Sequence, residues 1–86
     1  MKVRIPTPLR SYTAQAATVD ANGETVDAIL RDLDAQFPGL RFRVVDEQGR
    51  LRRHMKVFLD EESVRDLSLP VTGVRELTIM QALSGG

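Results

Sequence analysis

The chain has 86 residues, 42% of them apolar and 28% charged, a balance that suits one small folded domain rather than a disordered segment. Twelve Lys and Arg residues offset twelve Asp and Glu residues, so the formal net charge is zero. That balance argues against nucleic acid as a partner, because phosphate contact calls for a basic excess. Cysteine is absent, which removes disulfides, thiolate metal ligands and thiol nucleophiles from consideration.

No apolar run approaches the roughly 20 residues of a membrane helix. The opening Met1-Lys2-Val3-Arg4-Ile5-Pro6 lacks the uninterrupted apolar stretch of a signal peptide. The expectation is a cytoplasmic protein with no membrane partner.

Lys2 to Ile5 alternates polar and apolar residues, which predicts a first strand. Pro6 and Pro8 stop it, since neither can donate to a sheet ladder. Ala16 to Ala21 predicts a second strand, antiparallel to the first across a loop from Thr7 to Gln15. Asn22-Gly23 marks a turn. Thr25 is then a helix N-cap, with Asp27 in the first turn where negative charge suits the dipole. Val26, Ile29, Leu30, Leu33 and Phe37 recur at helical spacing, and Pro38-Gly39 ends the helix.

Leu40 to Val45 fits neither period cleanly. Asp46-Glu47-Gln48-Gly49 reads as a turn. His54 to Leu59 alternates, with Met55, Val57 and Leu59 on one face and His54, Lys56 and Phe58 on the other. Asp60-Glu61-Glu62 is a polar turn, and Val64 to Leu69 an irregular connection closed by Pro70. Glu76 to Leu83 is the last strand. The helix needs a sheet beneath it, and a final strand returning beside the first supplies one. The fold class expected is α+β: a β-grasp, ubiquitin-like domain over residues 1–83, with a mixed sheet of four to five strands and one main helix across it. Residues 84–86 form a tail.

That tail, Ser84-Gly85-Gly86, directly follows the apolar strand. Two glycines end a random chain about once in 200 cases, so the pair gains meaning only from its place. A carboxylate is a poor electrophile until another enzyme activates it, for example as an acyl-adenylate. Residues without Cβ let the backbone thread a narrow channel. A diglycine tail on a small domain is thus a shape suited to presenting its own terminus, Gly86, as a substrate, with Gly85 and Ser84 as the threading residues.

Several segments resemble the MoaD/ThiS family of sulfur carriers in their joint order. These are Val3-Arg4-Ile5-Pro6-Thr7 with Leu9-Arg10, Gly23-Glu24-Thr25-Val26 leading into Ala28-Ile29-Leu30-Arg31-Asp32-Leu33, Val57-Phe58-Leu59-Asp60-Glu61-Glu62 with Val64-Arg65, and Gly85-Gly86. The opening is most similar to the CysO-like branch. Where many members carry a proline- or valine-rich segment before the glycines, this chain has Gln81-Ala82-Leu83-Ser84.

The resemblance implies a protein substrate and carrier rather than an enzyme, with no bound cofactor. An E1-like adenylating enzyme would use ATP on the Gly86 carboxylate, and a sulfur donor would turn the adenylate into a thiocarboxylate. A sulfur-accepting biosynthetic enzyme would then take the sulfur toward cysteine, a specialised metabolite, a molybdopterin or a thiazole. A metalloprotease that trims or releases the tail is a further expected partner. The alternatives are a ubiquitin-like modifier conjugated through Gly86 and a non-covalent β-grasp interaction module.

Phe58 and Met80 fall on the sheet face opposite the helix and Leu83 lies near the tail, together a candidate docking patch. Arg41, Arg43, Arg50, Arg52 and Arg53 read as a solvated face balanced by nearby acids. His54, the single histidine, reads as an ordinary strand residue rather than a metal ligand or base. Asp60-Glu61-Glu62 reads as solvated acids.

Overall fold

The computed structural model describes residues 1–82. Five strands form one mixed sheet: β1 (Lys2–Arg4), β2 (Thr18–Asp20), β3 (Met55–Leu59), β4 (Glu62–Val64) and β5 (Glu76–Gln81). Their spatial order is β2-β1-β5-β3-β4. β1 runs parallel to β5, and the other pairs are antiparallel. The last strand thus lies at the centre of the sheet, hydrogen-bonded on both sides. Helix α1 (Val26–Gln36) supplies the crossover cover, and a short α2 (Leu40–Val44) follows it.

Alternation places Val3, Val57, Leu77 and Ile79 on the inner face, each no more than 1% exposed. Against them pack Val26, Ile29, Leu30 and Leu33 of α1, together with Leu9, Leu40 and Val44. This is the mixed sheet and crossing helix expected of a β-grasp domain, with the full five strands.

The helix starts where its sequence says it should. The Thr25 hydroxyl accepts the Ala28 N–H at 3.1 Å, and Asp27 sits in the first turn. Two further N-terminal donors are satisfied from outside, Val26 N–H by the Leu69 carbonyl and Asp27 N–H by that of Leu67. The irregular segment before Pro70 therefore closes the helix N-terminus.

Three local features differ from the sequence reading. Thr7–Thr13 is a 3-10 helix rather than a loop. The prolines that stop β1 also start this helix, since Pro8 lies in its first turn, where a missing N–H costs no bond. Its Leu9 and Thr13 are buried. Leu40–Val44 is helical, with Leu40 and Val44 buried four residues apart. Glu62 lies in β4 rather than in a turn, because Glu62 pairs with Leu59 and Val64 with Val57 along the edge of the sheet.

Candidate functional site

β5 ends at Gln81. Met55 pairs with Gln81 and Lys56 with Met80. One residue further on, the Ala82 N–H donates to the His54 carbonyl at 2.7 Å. Ala82, the last described residue, is thus tied to the residue before β3. The expected site residues Gly86, Gly85, Ser84 and Leu83 lie outside the described residues.

Phe58 and Met80 do fall on the sheet face away from α1. Phe58 pairs with Thr78 and Lys56 with Met80, so Phe58 and Met80 are diagonal neighbours within reach of each other. Met80 is 47% exposed, while Phe58 is half-buried.

The segment carrying Arg52 and His54 is held from below. The Arg65 guanidinium donates to three carbonyls, those of Met55, Leu51 and Arg52, at 3.1, 3.0 and 3.2 Å. Arg52 in turn donates from Nε to the Phe42 carbonyl at 2.7 Å, and its guanidinium lies 4.5 Å from the centre of the Phe42 ring. Phe42 is the most exposed large apolar residue described, at 54%. The sequence reading passed over it. The available signal was the spacing of Leu40 and Val44, which buries one face of α2 and leaves Phe42 on the other.

The remaining arginines do not behave alike. Arg41 and Arg31 both pair with Asp27, at 2.9 and 2.7 Å. Burial works to raise the Asp27 pKa, but the hydrogen bonds and charges of Arg31 and Arg41 outweigh it and hold the carboxyl below its ordinary value. Asp60 has a structural task. Its carboxylate accepts the N–H groups of Arg75 and Glu76, both at 3.1 Å, and so fixes the entry to β5. Glu76 pairs with Arg4 and Lys2, and its carboxyl is held below its ordinary value, chiefly by the Arg4 hydrogen bond. His54 is exposed ahead of β3. Among the described residues no group of His, Asp or Glu side chains is placed to hold a metal ion, and no helix is long and apolar enough to cross a membrane.

Comparison with known proteins agrees with this geometry. The ThiS family model matches residues 3–86. The sulfur carrier protein CysO of Mycobacterium tuberculosis is 34% identical over 89 aligned positions, covering 98% of this chain and 96% of the relative. The crystal structure of the Amycolatopsis orientalis BexX/CysO complex contains a chain that superposes with a TM-score of 0.89 at 36% identity, over 99% of this chain and 98% of that one. SAMP1 from Haloferax volcanii superposes with a TM-score of 0.78 at 28% identity, over 100% and 98% of the two chains. The chain therefore belongs to the ThiS family, a ubiquitin-like β-grasp domain of the kind represented by the sulfur carrier CysO rather than an enzyme.

Proposed function

We propose that this chain carries sulfur as a thiocarboxylate on Gly86, in the cytoplasm, as a protein substrate for enzymes that act on its tail. The observation that supports the reading most is the CysO relationship over nearly the whole chain, together with a match to the family that runs through Gly86. In the proposed cycle an E1-like enzyme joins the Gly86 carboxylate to the AMP moiety of ATP and releases pyrophosphate. A sulfide donor then attacks the acyl carbon and AMP leaves. The resulting thiocarboxylate is a stronger nucleophile than the carboxylate and delivers sulfur to an acceptor held by a second enzyme.

The domain's part in that cycle is positioning. Ala82 continues directly from β5, the central strand, and is hydrogen-bonded to the residue before β3, which supports a presentation of the following residues from a defined place. Phe58 and Met80 supply an apolar docking patch on the sheet face away from α1, and Leu83, outside the described residues, is its third expected member. The similar CysO crystallised in complex with BexX supports a protein partner for this domain. Because SAMP1 is a small archaeal modifier protein, conjugation through the same tail is the second reading.

Intact-mass measurement after incubation with an E1-like enzyme, ATP and a sulfide source tests the proposal. Exchange of a single oxygen for sulfur, lost on deletion of Gly86, is expected. An unchanged mass with an enzyme active on its own carrier would refute it. Lysine-linked adducts without sulfur exchange would favour the second reading.

A further inference from the structure

We propose that Phe42, Arg43, Arg52 and His54 form a cationic collar at the root of the tail, which receives an acidic surface of the enzyme that takes hold of Gly86. The inference rests on the proposed role of Gly86 and adds the chemistry of the partner's contact.

The collar is a cleft of about 410 Å³ lined by Phe42, Arg43, Arg52, His54, Met55 and Gln81. Its wall includes the last residue of β5, and the next residue, Ala82, bonds to His54. Four residues, Leu83 to Gly86, follow Ala82 in the sequence. Covalent geometry limits them to about 14 Å even when fully extended. Any enzyme that grips the Gly86 carboxylate therefore brings its own surface over this end of the domain.

The chemistry of that end is one-sided. Among the described residues no acidic side chain lines the cleft. Lys2, Arg4, Arg31 and Arg41 are all paired with Glu76 or Asp27, whereas Arg43 and Arg52 form no ion pair among the described residues. At the opposite end of the β3–β5 pair stand Asp60, Glu61 and Glu62, with Leu59 opposite Leu77 and Met55 opposite Gln81 marking the two ends. The cleft end of the pair is thus lined by cations, whereas the far end carries three acids beside Arg75. Such a field orients an approaching protein and favours an acidic counterpart.

The collar is also rigid in advance. The hydrogen bond and ring contact to Phe42 hold the Arg52 guanidinium, and Arg65 clamps the backbone on either side. An exposed aromatic ring beneath an ordered arginine is the kind of anchor that carries binding energy at interfaces, because little side-chain freedom remains to be lost.

The test is a nuclear magnetic resonance titration of the full chain with hexaglutamate capped at both ends. Saturable shifts concentrated at Phe42, Arg43, Arg52, His54 and Gln81, weakening as salt rises, are expected. Arg43→Glu, at an exposed site, should weaken this binding by about tenfold, and should raise the KM for the carrier in ATP–pyrophosphate exchange while leaving kcat unchanged. Shifts spread evenly over Arg31, Arg50 and Arg53, or no shifts, would overturn the collar. So would tighter peptide binding after amidation of the C-terminal carboxylate, which would identify the chain's own carboxylate as the occupant. Sulfur exchange that proceeds in Arg43→Glu with an unchanged KM removes the collar and keeps the proposed function. Peptide binding at the collar without sulfur exchange in the parent chain removes the proposed function and the partner assigned here.

Discussion

Asp27 in α1 and Arg41 in α2 are joined by a hydrogen-bonded ion pair of 2.9 Å that ties the two helices together across the Phe37–Gly39 turn. The second Asp27 oxygen accepts from Arg31 one turn along α1. Arg41 is the more buried partner, and its Nε is enclosed without a protein acceptor, so the pair matters more to Arg41 than to Asp27.

Asp27 has a lowered pKa in the folded chain. A carboxylate of that kind binds its proton more tightly when unfolded. Its stabilisation is therefore complete above the unfolded pKa and is lost as pH falls through the folded value. Stability should hold steady near neutrality and decline below about pH 4. Asp27→Asn should cost about 1 kcal/mol at pH 7 once solvent screening is allowed for, and should flatten the acid limb. Urea unfolding at a series of pH values checks both; an unchanged acid limb would remove Asp27 as a contributor.

Gly23 is required by close approach rather than by backbone conformation. A Cβ there would stand 2.7 Å from the Ile29 nitrogen and 2.8 Å from the Ala28 carbonyl carbon, both backbone atoms that cannot step aside. Gly23→Ala should destabilise by about 1–3 kcal/mol through overpacking, read as a lower urea midpoint at constant slope.

Thr25→Ala removes the hydroxyl that accepts the Ala28 N–H and should cost about 1 kcal/mol, whereas Thr25→Ser should stay close to the parent. Thermal unfolding separates the two. Equal losses would show that the cap is not what the hydroxyl supplies.

Adjacent residues of β5 should respond oppositely. Ile79 is 1% exposed and Met80 is 47% exposed. Ile79→Ala should cost about 2–5 kcal/mol, a large share of the stability of so small a domain. Met80→Ala should change stability by less than about 0.5 kcal/mol and should instead weaken association with the activating enzyme. Chemical denaturation and the KM for the carrier give the two readouts.

The contrast between Ile79 and Met80 also shows what was legible in the sequence. Period-two alternation puts Ile79 and Met80 on opposite faces of β5, one buried and one open. Helical spacing and the Thr25 cap placed α1 for the same reason: each pattern is the imprint of a two-sided environment. The 3-10 helix was obscured because Pro6 and Pro8 end a strand and begin a helix by the same loss of a donor. α2 and β4, at five and three residues, are too short to display a period. Tertiary pairing decides them, α2 through buried Leu40 and Val44, β4 through Val57 and Leu59 of the neighbouring strand. Phe42 escaped notice with α2. Its exposure follows from which face of that one helical turn is buried, and its partner Arg52 lies ten residues away in sequence.

The account's central claim concerns Gly86 and is tested most directly by mass. The full chain, treated with an E1-like enzyme, ATP and a sulfide source, should convert to a species in which sulfur replaces one oxygen of the terminal carboxylate. The chain lacking Gly86 should remain as it was. Sulfur appearing on the truncated chain, or none on the full chain under conditions that thiolate the enzyme's own carrier, would contradict the claim.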